Sequence, residues 1–408
     1  MPNAARLFLK KATAPEFQFI LSNGITVLLG TIFAVFFSID LGPKYRGILT
    51  LVFLASFVFS SLPVSGINLI YKSGRGRVSS ETYSEVFFLL SIALGLSSSL
   101  LTFLTMYLYG KLVIPLNGSL LVIAMIYTFF SCTYTQVSQF LLGRNLLARK
   151  WKTDLTIVVA QIVVYFYMIT SIQLQAIYRV LISLSIGFIF GIVSNLAPMI
   201  PIIRLIDLSK AKERYFSQVL EFIEESKSIG RYSFLVALSD RIDKFLISLF
   251  YPPQVLGSYS FVTGFVSVLR FIPDSVANLS LTGNLKSFRM FSSRLNVLFL
   301  IALFLIFTLS TLALPRVIEN SLGREWAVPI FAVTCCGWLE LFRGYYVNWS
   351  VRFISISQNN VSEKSILCML VTAIAFFYPL KLVFGLSGIP LSVVLGYLAS
   401  LTFLKFKS

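Results

Sequence analysis

Long apolar runs separated by short polar segments make up nearly the whole chain. Twelve of them stand out: Phe17–Ile39, Gly47–Tyr71, Ser84–Gly110, Gly118–Gly143, Asp154–Gln173, Val180–Ile203, Gly230–Tyr251, Leu256–Leu281, Leu295–Leu314, Val328–Asn348, Ser365–Val383 and Leu386–Phe406. Each is close to the ~20 residues that a helix needs to cross a bilayer. A backbone in hydrocarbon has to satisfy its own hydrogen bonds, so runs of this length predict helices. The expected fold is all-α and polytopic, with about twelve spans. The polar stretch Leu208–Lys227 predicts an amphipathic helix at the membrane surface.

Composition agrees with this pattern. The chain is 57% hydrophobic and 12% charged, against roughly 25% charged in soluble domains. Its net charge of +17 could suggest a nucleic-acid partner, but the distribution argues against one. With the N-terminus inside, 23 basic residues fall on inner segments and 7 on outer ones. The outer set is Lys44, Arg46, Lys111, Arg179, Arg316, Arg324 and Lys381. This is a positive-inside bias, and it puts both termini in the cytoplasm. No secretory leader is expected, because the run after Lys10-Lys11 is too long for a signal core.

An internal repeat organises the chain. Shifted by 210 residues, Ser38, Pro43, Gly47, Val52, Val58, Pro63, Ser65, Asn68 and Leu69 meet Ser248, Pro253, Gly257, Val262, Val268, Pro273, Ser275, Asn278 and Leu279. The offset is close to half the length. It predicts two six-helix lobes, 1–205 and 206–408, with residues 206–229 as a cytoplasmic linker. An even number of spans per lobe makes the repeats parallel, with a substrate site at their interface. Leu41–Gly47 and Tyr251–Gly257 read as tight outer turns. Pro63 and Pro273 read as kinks, since each removes a helical hydrogen bond.

Charge inside the spans is the strongest functional signal. Asp240, Arg241, Asp243 and Lys244 lie in one run, Arg270 and Asp274 in the next, and Glu340 and Arg343 in a third. An ionised side chain at mid-bilayer costs roughly 2.5–3.5 kcal/mol on insertion scales. These eight should therefore face water or one another. Spacing allows Asp240–Lys244, Arg270–Asp274 and Glu340–Arg343 to pair along their helices. The functional reading makes Arg241, Lys244, Arg270 and Arg343 the substrate-binding cations. Arginine suits bidentate phosphate contact and lysine a point charge. It makes Asp240, Asp243, Asp274 and Glu340 the ion-coupling carboxylates, with H+ and Na+ both open. In the first half the aligned positions are uncharged: Thr31, Phe33 and Ala34 stand where Arg241, Asp243 and Lys244 do, and Ser60 where Arg270 does. That half offers Asn23, Ser65, Asn68, Gln136, Gln139 and Gln161 instead. Cys132, Cys335, Cys336 and Cys368 have no metal-ligand spacing and read as small apolar residues. The chain has no histidine, and no metal or cofactor motif is present.

The same residues carry a family resemblance. Asp240-Arg241-Ile242-Asp243-Lys244-Phe245, continuing through Pro253, Gly257, Tyr259 and Ser260, resembles the seventh-to-eighth helix region of the Wzx-type polysaccharide-unit (O-antigen) flippases. Leu41-Gly42-Pro43 with Gly47 resembles their first helix pair, and Phe384–Pro390 their lead-in to the last helix. These flippases belong to the multidrug/oligosaccharidyl-lipid/polysaccharide (MOP) exporter superfamily. The resemblance implies a MATE-like fold of two lobes around a central cavity. It implies translocation of undecaprenyl-pyrophosphate-linked oligosaccharide from the cytoplasmic to the periplasmic leaflet of a bacterial inner membrane, next to membrane lipid and the polysaccharide polymerase machinery. Tyr251-Pro252-Pro253 departs from the usual Leu-Gly-Pro turn. A cation-coupled multidrug efflux transporter of the same superfamily is the alternative. A membrane polymerase or ligase is a third reading, disfavoured because the outer segments are short and no nucleophile–base pair is present. The protein is therefore not expected to be an enzyme.

The charge bias yields a test of topology. Reporter fusions after Ser408 and near Lys212 should both read cytoplasmic, and a periplasmic signal at either would break the six-plus-six scheme.

Overall fold

A computed structural model describes residues 15–61, 80–143, 146–196, 224, 230–267, 294–355 and 359–407. Among these residues the secondary structure is helical throughout, without strands. The helices are α1 (Pro15–Ser60), α2 (Ser80–Leu112), α3 (Gly118–Gly143), α4 (Leu147–Ser171), α5 (Ala176–Leu196), α6 (230–239), α7 (Ile242–Phe250), α8 (Pro253–Ser267), α9 (Arg294–Leu322), α10 (Ile330–Ser355), α11 (Asn359–Phe384) and α12 (Gly388–Lys407). Ser22–Ser60, Leu90–Leu112, Gly118–Leu141, Arg149–Ser171, Ala176–Asn195 and Asn360–Lys407 are each long and apolar enough to cross a membrane. The first and last of these, at 39 and 48 residues, have length for two crossings.

The chain is thus an all-helical membrane protein with spans close to those the apolar runs mark. Two boundaries differ. α1 carries two predicted spans, broken only at Gly42, whose φ of 69° ends one arm just before Pro43 begins the next. α9 runs on through Pro315 to Leu322, so the stretch between the apolar runs Leu295–Leu314 and Val328–Asn348 is largely helix. Proline is tolerated inside membrane helices because neighbouring groups satisfy the freed carbonyl. The expected kinks at Pro63 and Pro273, and the amphipathic segment Leu208–Lys227 apart from the exposed helical Glu224, lie outside the described residues.

By contacts the chain forms two compact units, one of Met1–Thr26 with Val52–Phe234, the other of Val27–Leu51 with Leu235–Ser408. In the first, α2 packs on α3, α4 on α5, and α3 on α5. Leu121, Ala124, Thr128, Cys132 and Gln136 form the buried stripe of α3 at helical spacing. The buried amides here are spent on backbone: Gln136 donates to the Ser60 carbonyl (3.1 Å) and Gln161 to that of Leu184 (3.4 Å).

In the second unit α12 is the centre, packed on α10 and α11, while α8 and α9 pack on α10. Ile389, Val393, Tyr397, Ser400 and Leu404 of α12 are all 0–1% exposed. The outward face of α11 is equally apolar, with Val371, Ile374, Tyr378 and Leu382 exposed. Apolar residues on both faces are what a helix between protein and lipid needs.

The arm Val27–Leu51 meets α8 at a seam built from repeat equivalents. A Cβ on Gly47 would lie 1.9 Å from the Pro253 carbonyl oxygen, and one on Gly257 1.9 Å from the Pro43 carbonyl oxygen. Between them, Thr50 and Ser260, also 210 apart, share a 2.7 Å hydroxyl–hydroxyl bond. Backbones that approach this closely exclude any side chain, so only glycine fits either position.

Substituting Gly47 or Gly257 by Ala should lower the thermal unfolding midpoint of the detergent-purified protein, by the equivalent of about 1–3 kcal/mol of overpacking. Gly264→Ala, on the same α8 but with nothing within 4 Å of its added methyl, should be tolerated. Equal behaviour of the three variants would show that the seam is not tightly packed in the folded protein.

Candidate functional site

The seventh apolar run is not one helix. α6 ends at Ser239, Asp240 and Arg241 form a turn, and α7 restarts at Ile242. The backbone tightens as it goes: the Asp240 N–H bonds to the Val236 carbonyl (2.8 Å), but the Arg241 N–H reaches only to that of Leu238 (3.2 Å). Arg241 sits at φ −130°, ψ 5°, outside the helical region. A four-residue helical spacing does not survive such a break. Asp240 therefore does not pair with Lys244.

Asp240 meets Arg343 instead. Arg343 of α10 is 3% exposed and compensated on all sides. Its Nη1 donates to Glu340 Oε1 at 2.7 Å, the i,i+3 pair expected from the sequence. Its Nη2 donates to the Asp240 carbonyl at 2.8 Å, its Nε lies 3.2 Å from Asp240 Oδ1, and Nε also donates to the Tyr397 hydroxyl at 3.3 Å. One guanidinium thus caps the break after α6 and ties it to α10 and α12. The planar fork of arginine allows this, since it aims several donors in fixed directions at once.

Asp243 is held differently. It is 4% exposed, and its Oδ2 accepts a 2.7 Å bond from the Tyr259 hydroxyl of α8. The Cys336 thiol of α10 donates in turn to that hydroxyl at 3.1 Å. Cys336 is therefore more than a small apolar residue: it ends a relay that only the packing of α8 on α10 assembles. Asp243 Oδ1 has no hydrogen-bond partner among the described residues, and Asp243 has no ion pair there. Lys244, one residue on, is half-buried. Arg241 is half-buried as well.

The structure brings Asp240, Arg241, Asp243, Lys244, Glu340 and Arg343 into one neighbourhood of the second unit. Arg270 and Asp274 lie outside the described residues, as do Ser65 and Asn68. Gln139 is half-buried, while Gln136 and Gln161 serve the backbone as noted.

One buried cation escaped the sequence reading. Arg46 counts there as an outer-turn charge, but it lies in the first turns of the second arm of α1 and is only 8% exposed. Its guanidinium carbon lies 4.9 Å from the centroid of the Phe37 ring. Its Nε and Nη1 have no hydrogen-bond partner among the described residues. It lines a cavity of about 230 Å³ with Val27, Thr31, Ala34, Phe261 and Phe265, all within the second unit. An unsatisfied buried donor costs about 1–3 kcal/mol, and more when charged. The repeat held a clue: the equivalent of Arg46 is Leu256, which is fully buried.

Comparison with known proteins identifies the fold. The sequence matches no protein-family profile and no curated protein. Solved structures match over nearly the full length. An outward-facing multidrug-resistance MATE family transporter of the MOP superfamily superposes with a TM-score of 0.68, at 14% identity over 96% of this chain and 95% of that one. A MOP-superfamily transporter from Pyrococcus furiosus, for which a binding pocket of reversed polarity suggests a different function, gives 0.65 at 15% identity over 96% and 95%. The lipid II flippase MurJ in an inward closed conformation gives 0.62 at 15% identity over 96% of this chain and 87% of that one. The chain has the MATE-type fold.

The Arg343 network makes a stability prediction. Arg343→Met should cost about 3–5 kcal/mol, because it strands Asp240 and Glu340 in the interior. Adding Asp240→Asn and Glu340→Gln should restore most of the loss in thermal unfolding, since the triad is then neutral throughout. A triple variant as unstable as the single one would show that Arg343 acts by packing, not by charge.

Proposed function

We propose that the protein is a flippase for lipid-linked oligosaccharide, carrying undecaprenyl-pyrophosphate-linked sugar units from the cytoplasmic to the periplasmic leaflet by alternating access. The observation that carries this reading is where the cations of the cluster lie. Arg343 takes both Asp240 and Glu340. The six charges of the neighbourhood sum to zero: Arg343 with its two acids carries a net −1, and Arg241 and Lys244 with Asp243 a net +1. The two cations are also the half-buried members, whereas Arg343 and the three acids are buried. Such a site favours an anion such as pyrophosphate over a cationic drug. The fold supports the same reading, because it is shared by a lipid II flippase and by MATE multidrug transporters.

On this reading Arg343, with Asp240 and Glu340, is the frame. Lys244 and Arg241 are the substrate cations, with Arg270 beside them on sequence grounds alone. Asp243 is the coupling carboxylate: it is buried, it lacks an ion pair among the described residues, and its side-chain donor there is the neutral Tyr259. Its Oδ1, without a hydrogen-bond partner among the described residues, leaves an acceptor for the coupling ion.

Deletion in a cell that makes a surface polysaccharide should trap single lipid-linked units on the cytoplasmic face. Normal surface polymer, with new drug sensitivity, would favour the efflux reading instead. Lys244→Gln should slow flipping roughly tenfold or more, the equivalent of one charge-assisted hydrogen bond. Asp243→Asn should abolish the pH or sodium dependence of transport while the protein still inserts. Unchanged ion dependence would make Asp243 a counter-charge only.

A further inference from the structure

We propose that Arg46 and the cavity in front of it form a second anion-binding subsite, which takes the phosphate or pyrophosphate group of an amphiphile. Two independent observations meet there. The first is a buried guanidinium whose Nε and Nη1 have no hydrogen-bond partner among the described residues, with the face of Phe37 against it. The second is the space of about 230 Å³ that it lines. Elsewhere in this unit a buried arginine is fully engaged, as Arg343 is, so the open donors of Arg46 mark a place where an acceptor is missing.

The walls define the kind of acceptor. Among the described residues Arg46 is the one charged residue lining the cavity, and none of them there is a carboxylate. The hydroxyls of Thr31 and Ser267 donate to their own helices, leaving oxygen lone pairs, which do not attract an anion. Val27, Ala34, Val35, Phe261 and Phe265 supply apolar surface. One cation against apolar walls suits an oxyanion head joined to a hydrocarbon body. Gly30 and Gly264 both line the space, and a Cβ on either would meet nothing within 4 Å, so the cavity has room at two opposite walls.

The repeat explains why this subsite is distinct from the cluster around Lys244. On the first-half arm the equivalents of Arg241 and Lys244 are Thr31 and Ala34, both cavity-lining and uncharged. The cation has moved to position 46, where the second half has Leu256. Each half thus supplies a cation, from a different helix of the pair. The inference rests on the flippase reading for the nature of the amphiphile, but not for the existence of an anion site.

The test is equilibrium binding by calorimetry to the full-length protein in lipid nanodiscs, with three probes: farnesyl pyrophosphate, inorganic pyrophosphate and farnesol. Farnesyl pyrophosphate should bind, Arg46→Gln should weaken it about tenfold or more, and Arg46→Lys should recover part of the loss. Farnesol should bind at least tenfold more weakly in the wild type. Inorganic pyrophosphate binding that is equally tight and equally dependent on Arg46 would support the anion site with free phosphate as its source. Affinity indifferent to Arg46→Gln overturns the proposal, as does equal binding of farnesol. Should Arg46→Gln fail to fold, Gly264→Leu keeps the question open to test: it fills the space from α8 and leaves Arg46 in place, and unchanged farnesyl pyrophosphate binding in it overturns the proposal. Normal surface polymer on deletion, with Arg46-dependent binding intact, would remove the flippase reading and leave this subsite standing.

Discussion

A guanidinium buried in an apolar helix bundle has to be met by acceptors from several directions, and the second unit is arranged around that requirement at Arg343. Two carboxylates, a backbone carbonyl and a tyrosine hydroxyl converge on it from α6, α10 and α12. The break at Asp240–Arg241 follows from the same need, because a continuous helix would use the Asp240 carbonyl internally. The break in turn lets Arg241 and Lys244 leave the buried face and sets Asp243 against Tyr259. Arg343 thus lies in a buried frame, with Arg241 and Lys244 at half-buried positions a few residues from it in the fold.

The seam between the first arm and α8 obeys a different constraint, steric and not electrostatic. Pro43 faces Gly257 and Pro253 faces Gly47, with Thr50 bonded to Ser260 between them. Contacts in which i meets j and the equivalent of i meets the equivalent of j are the mark of an isologous interface. Here it joins two corners of one chain. Identity between the two copies at Pro43, Gly47, Pro253 and Gly257 is thus maintained by mutual contact. Where the copies diverge, at Arg46 and Leu256 or at Thr31 and Arg241, they no longer need to match. Those positions are the ones that line a cavity or carry charge.

The apolar pattern determined a great deal. About twelve helical spans, the short turns at Gly42 and at Tyr251-Pro252, and the all-helical membrane fold follow from it, because a bilayer leaves the backbone few alternatives. The charged residues were visible for the same reason: in a chain this apolar, each ion carries a cost that has to be explained. The Glu340–Arg343 pair could be read from spacing, since both lie on the continuous helix α10. Asp240–Lys244 could not, since the expected pairing assumed a helix where there is a turn. Arg46 was misread because a positive charge near a predicted outer turn is ordinary, and nothing local indicates that its side chain is covered. The burial of Cys336 was legible, but its place in the relay to Asp243 was not. Tertiary structure alone decided which charges neutralise one another. The sequence sets the spacing of side chains along one helix, whereas compensation of a buried ion depends on groups from helices far apart in the chain.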